Sequence, residues 1–315
     1  MFECPTMNAT RSDGLSETQK GLIYALSCYL IWGTFPLYWY PLTHSVIGAD
    51  QLLAQRVVWS SVFVVIVVAV CGYGRTLLDA FSNRRLLSAF IFSSAALAVN
   101  WLVFLWAVTH NHVLDSSLGY FISPLVSIML GCFFLKECIN RTQIIAILLA
   151  VTGILWLAIP AGRIPWVALL LAASFGIYGL LRKTTPMDAL PGLALETLLM
   201  LPFAAAYLVW TAWHGGLIFS ELPPLPLALL VCSGIATTIP LIFFAAGARR
   251  IPLSHFGMIQ YITPTSQLIV GLTVFRETFT VSRFIGYIWV WFGVAVYLFG
   301  IWQQYRAGIC TKNTI

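Results

Sequence analysis

The chain is patterned as a succession of long apolar runs separated by short polar punctuation. Val57–Val70, for example, reads VVWSSVFVVIVVAV, with neither a charge nor a strand-like alternation of polar and apolar positions. Runs bounded by charge, Pro or Gly predict ten helices at approximately 21–41, 49–71, 86–109, 116–135, 142–160, 165–182, 191–213, 225–247, 254–275 and 283–303. A helix that crosses the hydrocarbon of a bilayer needs roughly 20 apolar residues, and these runs reach about that length. Backbone polar groups in lipid must be paired within their own segment, so helices are the expected form. The gaps between runs are too short for a soluble domain.

Composition supports the same picture. Hydrophobic residues make up 60% of the 315 residues and charged residues 9%, where a soluble domain carries about 25% charged residues. The net charge of +6 does not point to nucleic acid, because the basic residues are scattered singly or in pairs with no stripe or patch. They read as topology signals, since Lys and Arg near span ends favour the cytoplasm. With the N-terminus inside, the cytoplasmic segments hold Arg11, Lys20, Arg75, Arg84, Arg85, Lys136, Arg141, Arg182, Lys183, Arg249, Arg250, Arg306 and Lys312. The opposite face holds Arg163, Arg276 and Arg283, and Arg56 falls within a span. Both termini are therefore expected in the cytoplasm, and the polar first twenty residues predict no signal peptide.

The seven cysteines, at 4, 28, 71, 132, 138, 232 and 310, form no CxxC pair and are expected as free thiols. His110 and His112 have too few acidic or thiol neighbours to suggest a metal and read as loop residues. No metal and no cofactor is expected.

The chain also repeats itself. Ser117–Glu137 (SLGYFISPLVSIMLGCFFLKE) aligns without a gap on Gly257–Glu277 (GMIQYITPTSQLIVGLTVFRE), an offset of 140. Ile122, Pro124, Gly131 and Glu137 match Ile262, Pro264, Gly271 and Glu277, Lys136 meets Arg276, and further along Gly153 meets Gly293. Shared apolarity would match Leu with Val by chance, but not a Pro, a Gly and a basic–acidic pair in one register. The expected organisation is a tail at 1–20, one repeat at 21–160, a second at 165–303 and a tail at 304–315. Five spans per half is an odd number, so the second half enters the membrane upside down, a plan common among secondary transporters with a site near the midplane. The fold class is thus all-α integral membrane, ten transmembrane helices as two inverted five-helix repeats. The Lys136–Glu137 and Arg276–Glu277 pairs are expected to cap their helices and pin them at the interface.

Tyr29–Gly33 (YLIWG), Gln55–Ser60 (QRVVWS), Asn100–Val108 (NWLVFLWAV), Ser117–Pro124 (SLGYFISP), Tyr178–Lys183 (YGLLRK), Glu196–Thr197 with Leu201–Pro202, and Gln260–Pro264 (QYITP) follow one another in order from about residue 18 to 303. In these segments the chain resembles the EamA branch of the drug/metabolite transporter superfamily, and within it the RarD subfamily. The resemblance implies a ten-span permease of the bacterial inner membrane with two repeats around a central cavity, in a family whose members export amino acids and other metabolites. Gln51 and Gln55 depart from the ionisable residues expected there.

Arg56 and Glu196 are the unambiguous charges within spans, and an intramembrane charge is costly enough to be a functional candidate by default. Their estimated depths differ by roughly 12 Å at about 1.5 Å per residue, which argues against a direct ion pair. Each is expected to face the pathway from its own half, Arg56 attracting an anionic group and Glu196 a cationic one or a proton. Asn100, Trp101, Tyr120, Gln260 and Tyr261 are further pathway candidates, though amides and rings also hold helices together. Pro124 and Pro264 are expected kinks or gates, because proline removes a helix hydrogen bond and clashes with the preceding turn.

A small solute and the bilayer are the expected partners, a homodimer is compatible with the plan, and nucleic acid is not expected. The leading function is secondary transport, since no GxxxxGK[ST] loop is present to use ATP. The rival reading, an intramembrane enzyme acting on a lipid or lipid-linked group, would need a clustered nucleophile, acid/base pair or metal site. HExxH, GxSxG and a carboxylate pair are all missing from the sequence.

Overall fold

The structure is a computed structural model and describes residues 15–43, 45, 47–109, 113–158, 165–276 and 280–306. Regular structure among these residues is helical throughout: α1 (Glu17–Thr43), α2 (Ala49–Val70), α3 (Gly74–Ser82), α4 (Arg84–Thr109), α5 (Val113–Phe134), α6 (Arg141–Ala158), α7 (Trp166–Thr184), α8 (Ala189–Trp213), α9 (Pro224–Arg250), α10 (Leu253–Ile259), α11 (Ile262–Thr273) and α12 (Val281–Arg306). Among the described residues, nine of these helices are long and apolar enough to cross a membrane. Large apolar side chains such as Phe133, Phe203 and Trp210 are exposed on the outside of the bundle, where lipid would cover them.

Polar residues between the runs start the helices. Ser16 and Gln19 form a reciprocal capping box at α1: the Ser16 N–H donates to Gln19 Oε1 (2.9 Å) and the Gln19 N–H to Ser16 Oγ (3.2 Å). Asn140 and Gln143 do the same at α6, at 2.8 and 2.7 Å. Asn83 Oδ1 accepts the N–H groups of Arg85 and Leu86 at the start of α4. Helix α3, which the apolar pattern did not predict, is short and two-faced, burying Leu77 and Ala80 and exposing Leu78 and Phe81.

The packing repeats itself with the halves exchanged. Counting spans, α1, α2, α4, α5 and α6 correspond to α7, α8, α9, α10–α11 and α12. Helix α1 packs on α9 as its counterpart α7 packs on α4, and α5 packs on α7 as α10 and α11 pack on α1. The pairs α2·α8, α5·α10 and α6·α12 join counterparts directly. Gly153 and Gly293, matched by the offset of 140, both serve the α6·α12 crossing. A Cβ on Gly153 would lie 2.7 Å from the Gly286 carbonyl oxygen, and one on Gly293 would lie 2.8 Å from that of Ala146. Glycine at both places lets the two backbones touch.

The basic–acidic pairs behave differently from expectation. Lys136 and Arg276 adopt the same left-handed backbone, φ 53° and 51°, uncommon for residues with a Cβ. Lys136 thus turns the chain off α5, but the acid beside it caps a helix of the other half. Glu137 accepts the Leu253 N–H at Oε1 (2.6 Å) and the Ser254 N–H at Oε2 (2.8 Å), the orphan donors that begin α10. Glu277 lies outside the described residues.

The matched prolines also diverge. Helix α5 runs on through Pro124, whereas the expected ninth span is divided, α10 and α11 meeting at Gln260 and Tyr261. Pro264 has no N–H to give the Gln260 carbonyl, which accepts the Thr263 N–H instead (3.0 Å). The proline then sits in the first turn of α11, where its missing donor costs little.

Candidate functional site

Between the middle of the bundle and the end at which α1 finishes and α2 begins lies a cavity of about 440 Å³, within the range of about 300–1,000 Å³ usual for small-molecule sites. The resemblance motifs supply most of its wall: Tyr29 and Trp32 from YLIWG, Arg56 from QRVVWS, Asn100, Trp101 and Phe104 from α4, Ser117, Gly119, Tyr120 and Ser123 from α5, and Gln260, Thr263 and Pro264 at the divided span. Phe35, Trp39, Phe175 and Gln267 complete the aromatic and amide surface. The opposite end of the bundle is fastened by polar bonds. Lys183 Nζ donates to the carbonyls of Ala248 and Ile251 (3.1 and 2.5 Å), Arg250 Nε to Glu17 Oε2 (3.0 Å) and Arg249 Nη1 to the Met187 carbonyl (2.5 Å), alongside the Glu137 cap.

Arg56 is the charged residue among the described lining residues. Its Nε donates to Thr237 Oγ1 on α9 (2.7 Å). Its guanidinium carbon stands 4.5 Å from the Trp101 ring centre and 5.4 Å from that of Trp39, distances at which aromatic faces attract a cation. Among the described residues no carboxylate pairs with it, so the charge is held in place without being neutralised.

Gln260 and Tyr29 belong to the wall, and two of their polar atoms, Gln260 Oε1 and Tyr29 Oη, are buried without a hydrogen-bond partner among the described residues. Asn100 is committed on one side, its Nδ2 donating to the Leu171 carbonyl (2.9 Å) and Ser174 Oγ (3.1 Å) on α7. It therefore fastens two helices while contributing to the wall.

Glu196 stands elsewhere. Fully buried on α8, it accepts hydrogen bonds from Ser93 Oγ and from Tyr178 Oη (3.3 Å), and its Oε1 is 3.8 Å from Arg182 Nε. Arg182, expected as an exposed topology signal, is 1% accessible and belongs to this network. Its guanidinium lies over Phe90 (5.3 Å) and donates from Nη2 to the Ala189 carbonyl (3.1 Å). Gly192 leaves room for it, because a Cβ there would overlap Nη1.

Of the residues expected along a pathway, Arg56, Asn100, Trp101, Tyr120, Gln260 and Pro264 line the cavity, while Glu196, Tyr261 and Pro124 do not. The reason for Tyr261 is geometric. Successive helical residues point about 100° apart, so when Gln260 faces inward its neighbour packs among Leu118, Phe121 and Met258. The repeat obeys the same rule, since Tyr120 (the match of Gln260) lines the cavity and Phe121 (the match of Tyr261) joins that cluster. As the depth argument anticipated, Arg56 and Glu196 have separate partners.

Sequence reasoning missed Thr237, Tyr29, Trp32, Ser93, Tyr178 and Arg182. Spacing carried a signal for two of them, because Tyr178 and Arg182 are four apart on one helix and share a face. Gln51, where an ionisable residue was expected, fastens a loop, its Nε2 donating to the Gly216 carbonyl (2.7 Å). Five cysteines (28, 71, 132, 138 and 232) are free thiols among the described residues; His110 and His112 lie outside them.

These features define a multi-pass α-helical membrane protein of inverted-repeat architecture with a cavity between its halves that Arg56 lines. The EamA-like transporter family model matches residues 19–159 and again 163–299. The chain is 41% identical to the "uncharacterized transporter YojE" of Bacillus subtilis, over 93% of this chain and 98% of that one. It is 37% identical to "protein RarD" of Escherichia coli (92% and 98% covered) and 31% identical to the "chloramphenicol-sensitive protein RarD" of Pseudomonas aeruginosa (91% and 95%). A solved structure described only as a crystal structure of a protein shares the fold, with a TM-score of 0.66 at 14% identity, over 89% of this chain and 97% of that one. The chain belongs to the EamA-like transporter family and is a RarD-like membrane transporter.

Proposed function

We propose that the protein is a secondary active permease for a small metabolite, amino acid or drug-like solute, which it exports by alternating access through the central cavity. The observation that carries this reading is Arg56: a charge facing a cavity inside the membrane region, clamped by Trp101 and Thr237 and with no carboxylate partner among the described residues. An intramembrane charge kept without a protein counter-charge is suited to a ligand that supplies one. Asn100, Trp101, Tyr120 and Gln260 are the other proposed pathway residues. The positive-inside count supports a cytoplasmic position for both termini and the fastened end, and the bacterial sources of the relatives favour the inner membrane. Under that orientation the cavity faces outward in this conformation. The names of the relatives support transport over membrane enzymology.

Reconstitution in liposomes with labelled amino acids, nucleosides and amphenicols, with and without a pH gradient, tests the proposal. Flux of at least one class that is lost in Arg56→Gln is expected. Absence of flux for every class, from protein that elutes as a folded species, would overturn it. A pH-gradient dependence that survives Glu196→Gln would exclude that carboxylate from proton coupling.

A further inference from the structure

The cavity's partners are arranged for one kind of solute. A guanidinium can bind a carboxylate through its Nε–Nη edge or through its two Nη groups. In Arg56 the first edge is occupied, because Nε donates to Thr237 Oγ1 at 2.7 Å. One face of the group is covered by Trp101 and Trp39 lies near it as well. Neither Nη has an acceptor among the described residues, so the free element of the cation is its terminal Nη edge.

The rest of the wall limits what can be attached to an anionic group seated there. The described lining residues include neither Asp nor Glu, so none of them offsets the cost of bringing in an ammonium ion beside Arg56, which would also be repelled by it. Beyond Trp101, whose ring lies against Arg56, the aromatic residues Trp32 and Phe175 also line the cavity, a wall suited to a flat solute. Gln260 lines the same space, and its Oε1 is buried without a donor among the described residues. A buried acceptor left unpaired is costly, and a donor on the solute would relieve it.

Building on the transporter reading, we infer that the solute is a flat aromatic monoanion, its carboxylate on the Nη edge of Arg56, its ring against the aromatic wall, and an N–H or O–H donor directed to Gln260. The same wall discriminates against aromatic cations and against neutral aromatic amides. Arg56 supplies the charge recognition, the rings supply the body of the site, and Gln260 ranks solutes that share the first two features.

Four probes of similar size separate these elements: indole-3-acetate (anion with N–H), 1-naphthylacetate (anion without N–H), indole-3-acetamide (neutral) and tryptamine (cation). Binding to purified full-length protein is measured by equilibrium dialysis, and counterflow exchange is measured in liposomes at mildly alkaline pH, where the carboxylates stay ionised. Indole-3-acetate is expected to bind about tenfold or more tightly than the amide and the amine, the loss that follows from removing a charge-assisted hydrogen bond. It should exceed 1-naphthylacetate by a few-fold, a margin that Gln260→Leu erases. Arg56→Gln should abolish the preference for acid over amide, and Arg56→Lys should restore part of it. Tryptamine or the amide binding as well as the acid to the wild-type protein overturns the inference without recourse to any variant. Counterflow of those two with none of the acid overturns it while leaving the transporter reading intact. Binding of none of the four also overturns it, and the broader solute panel then decides the transporter reading separately.

Discussion

Arg56 on α2 and Glu196 on α8 occupy counterpart helices of the two halves, and both place an ionisable group inside the membrane region. Their surroundings differ completely. Glu196 is enclosed with Ser93, Tyr178 and Arg182, and its charge can be balanced within the protein. Arg56 is clamped by a hydroxyl and two indoles that orient it but cannot neutralise it. The burial of a charge therefore does not by itself mark a binding site; what distinguishes one is that the protein has positioned the charge and left it unpaired. The Glu196 network therefore resembles the structural joints of the bundle, whereas Arg56 is the charge we propose for the solute.

Mutations should separate the two. The largest effect is expected on stability, from Arg182→Ala or Glu196→Ala, each of which strands a buried charge at a cost of roughly 3–5 kcal/mol. Thermal unfolding of detergent-solubilised protein would register it as a marked loss of folded material. The double replacement Arg182→Met with Glu196→Leu should recover most of that loss, and single variants as stable as the parent would break the comparison. Next, Arg56→Gln should leave unfolding nearly unchanged while reducing flux by about tenfold or more, in line with about 1.5–3 kcal/mol for a hydrogen bond to a charged group. A variant that misfolds instead would place Arg56 among the structural charges. Glu137→Ala should cost about 1 kcal/mol through loss of its cap on α10, read from the same unfolding assay. The smallest effect is expected from Thr237→Val, which frees Nε without removing the charge. It should weaken solute affinity by the few-fold that corresponds to about 0.5–1.5 kcal/mol, and an unchanged affinity would show that Thr237 does not position Arg56.

Periodicity and composition were sufficient for the membrane, for nine continuous spans and for the repeat, since all three depend on residue type along the chain. The divided span was half visible: Pro264 marked the place, but Pro124 carries the same signal and its helix continues. One sequence pattern thus has two backbone outcomes, set by neighbours that a linear reading does not contain. Arg182 was misjudged because a basic residue at a span end normally reaches solvent, and nothing in YGLLRK indicates that α8 has a glycine, Gly192, where the guanidinium lies. Tyr261 was assigned to the pathway along with Gln260, but it turns away from the cavity into the cluster of Leu118, Phe121 and Met258. Tyr29 and Trp32 were present in a quoted motif, three apart and on one face, and could have been placed on the wall from that spacing.

The Glu137 contact has an implication for sequence variation. Both hydrogen bonds are made to main-chain N–H groups, at Leu253 and Ser254, so the clasp between the halves does not depend on which side chains α10 carries there. The clasp itself asks of those two positions only an amide hydrogen, although both side chains are buried and Leu253 also belongs to the core. Proline fails that requirement, because it would take away the very atom by which the helix is held.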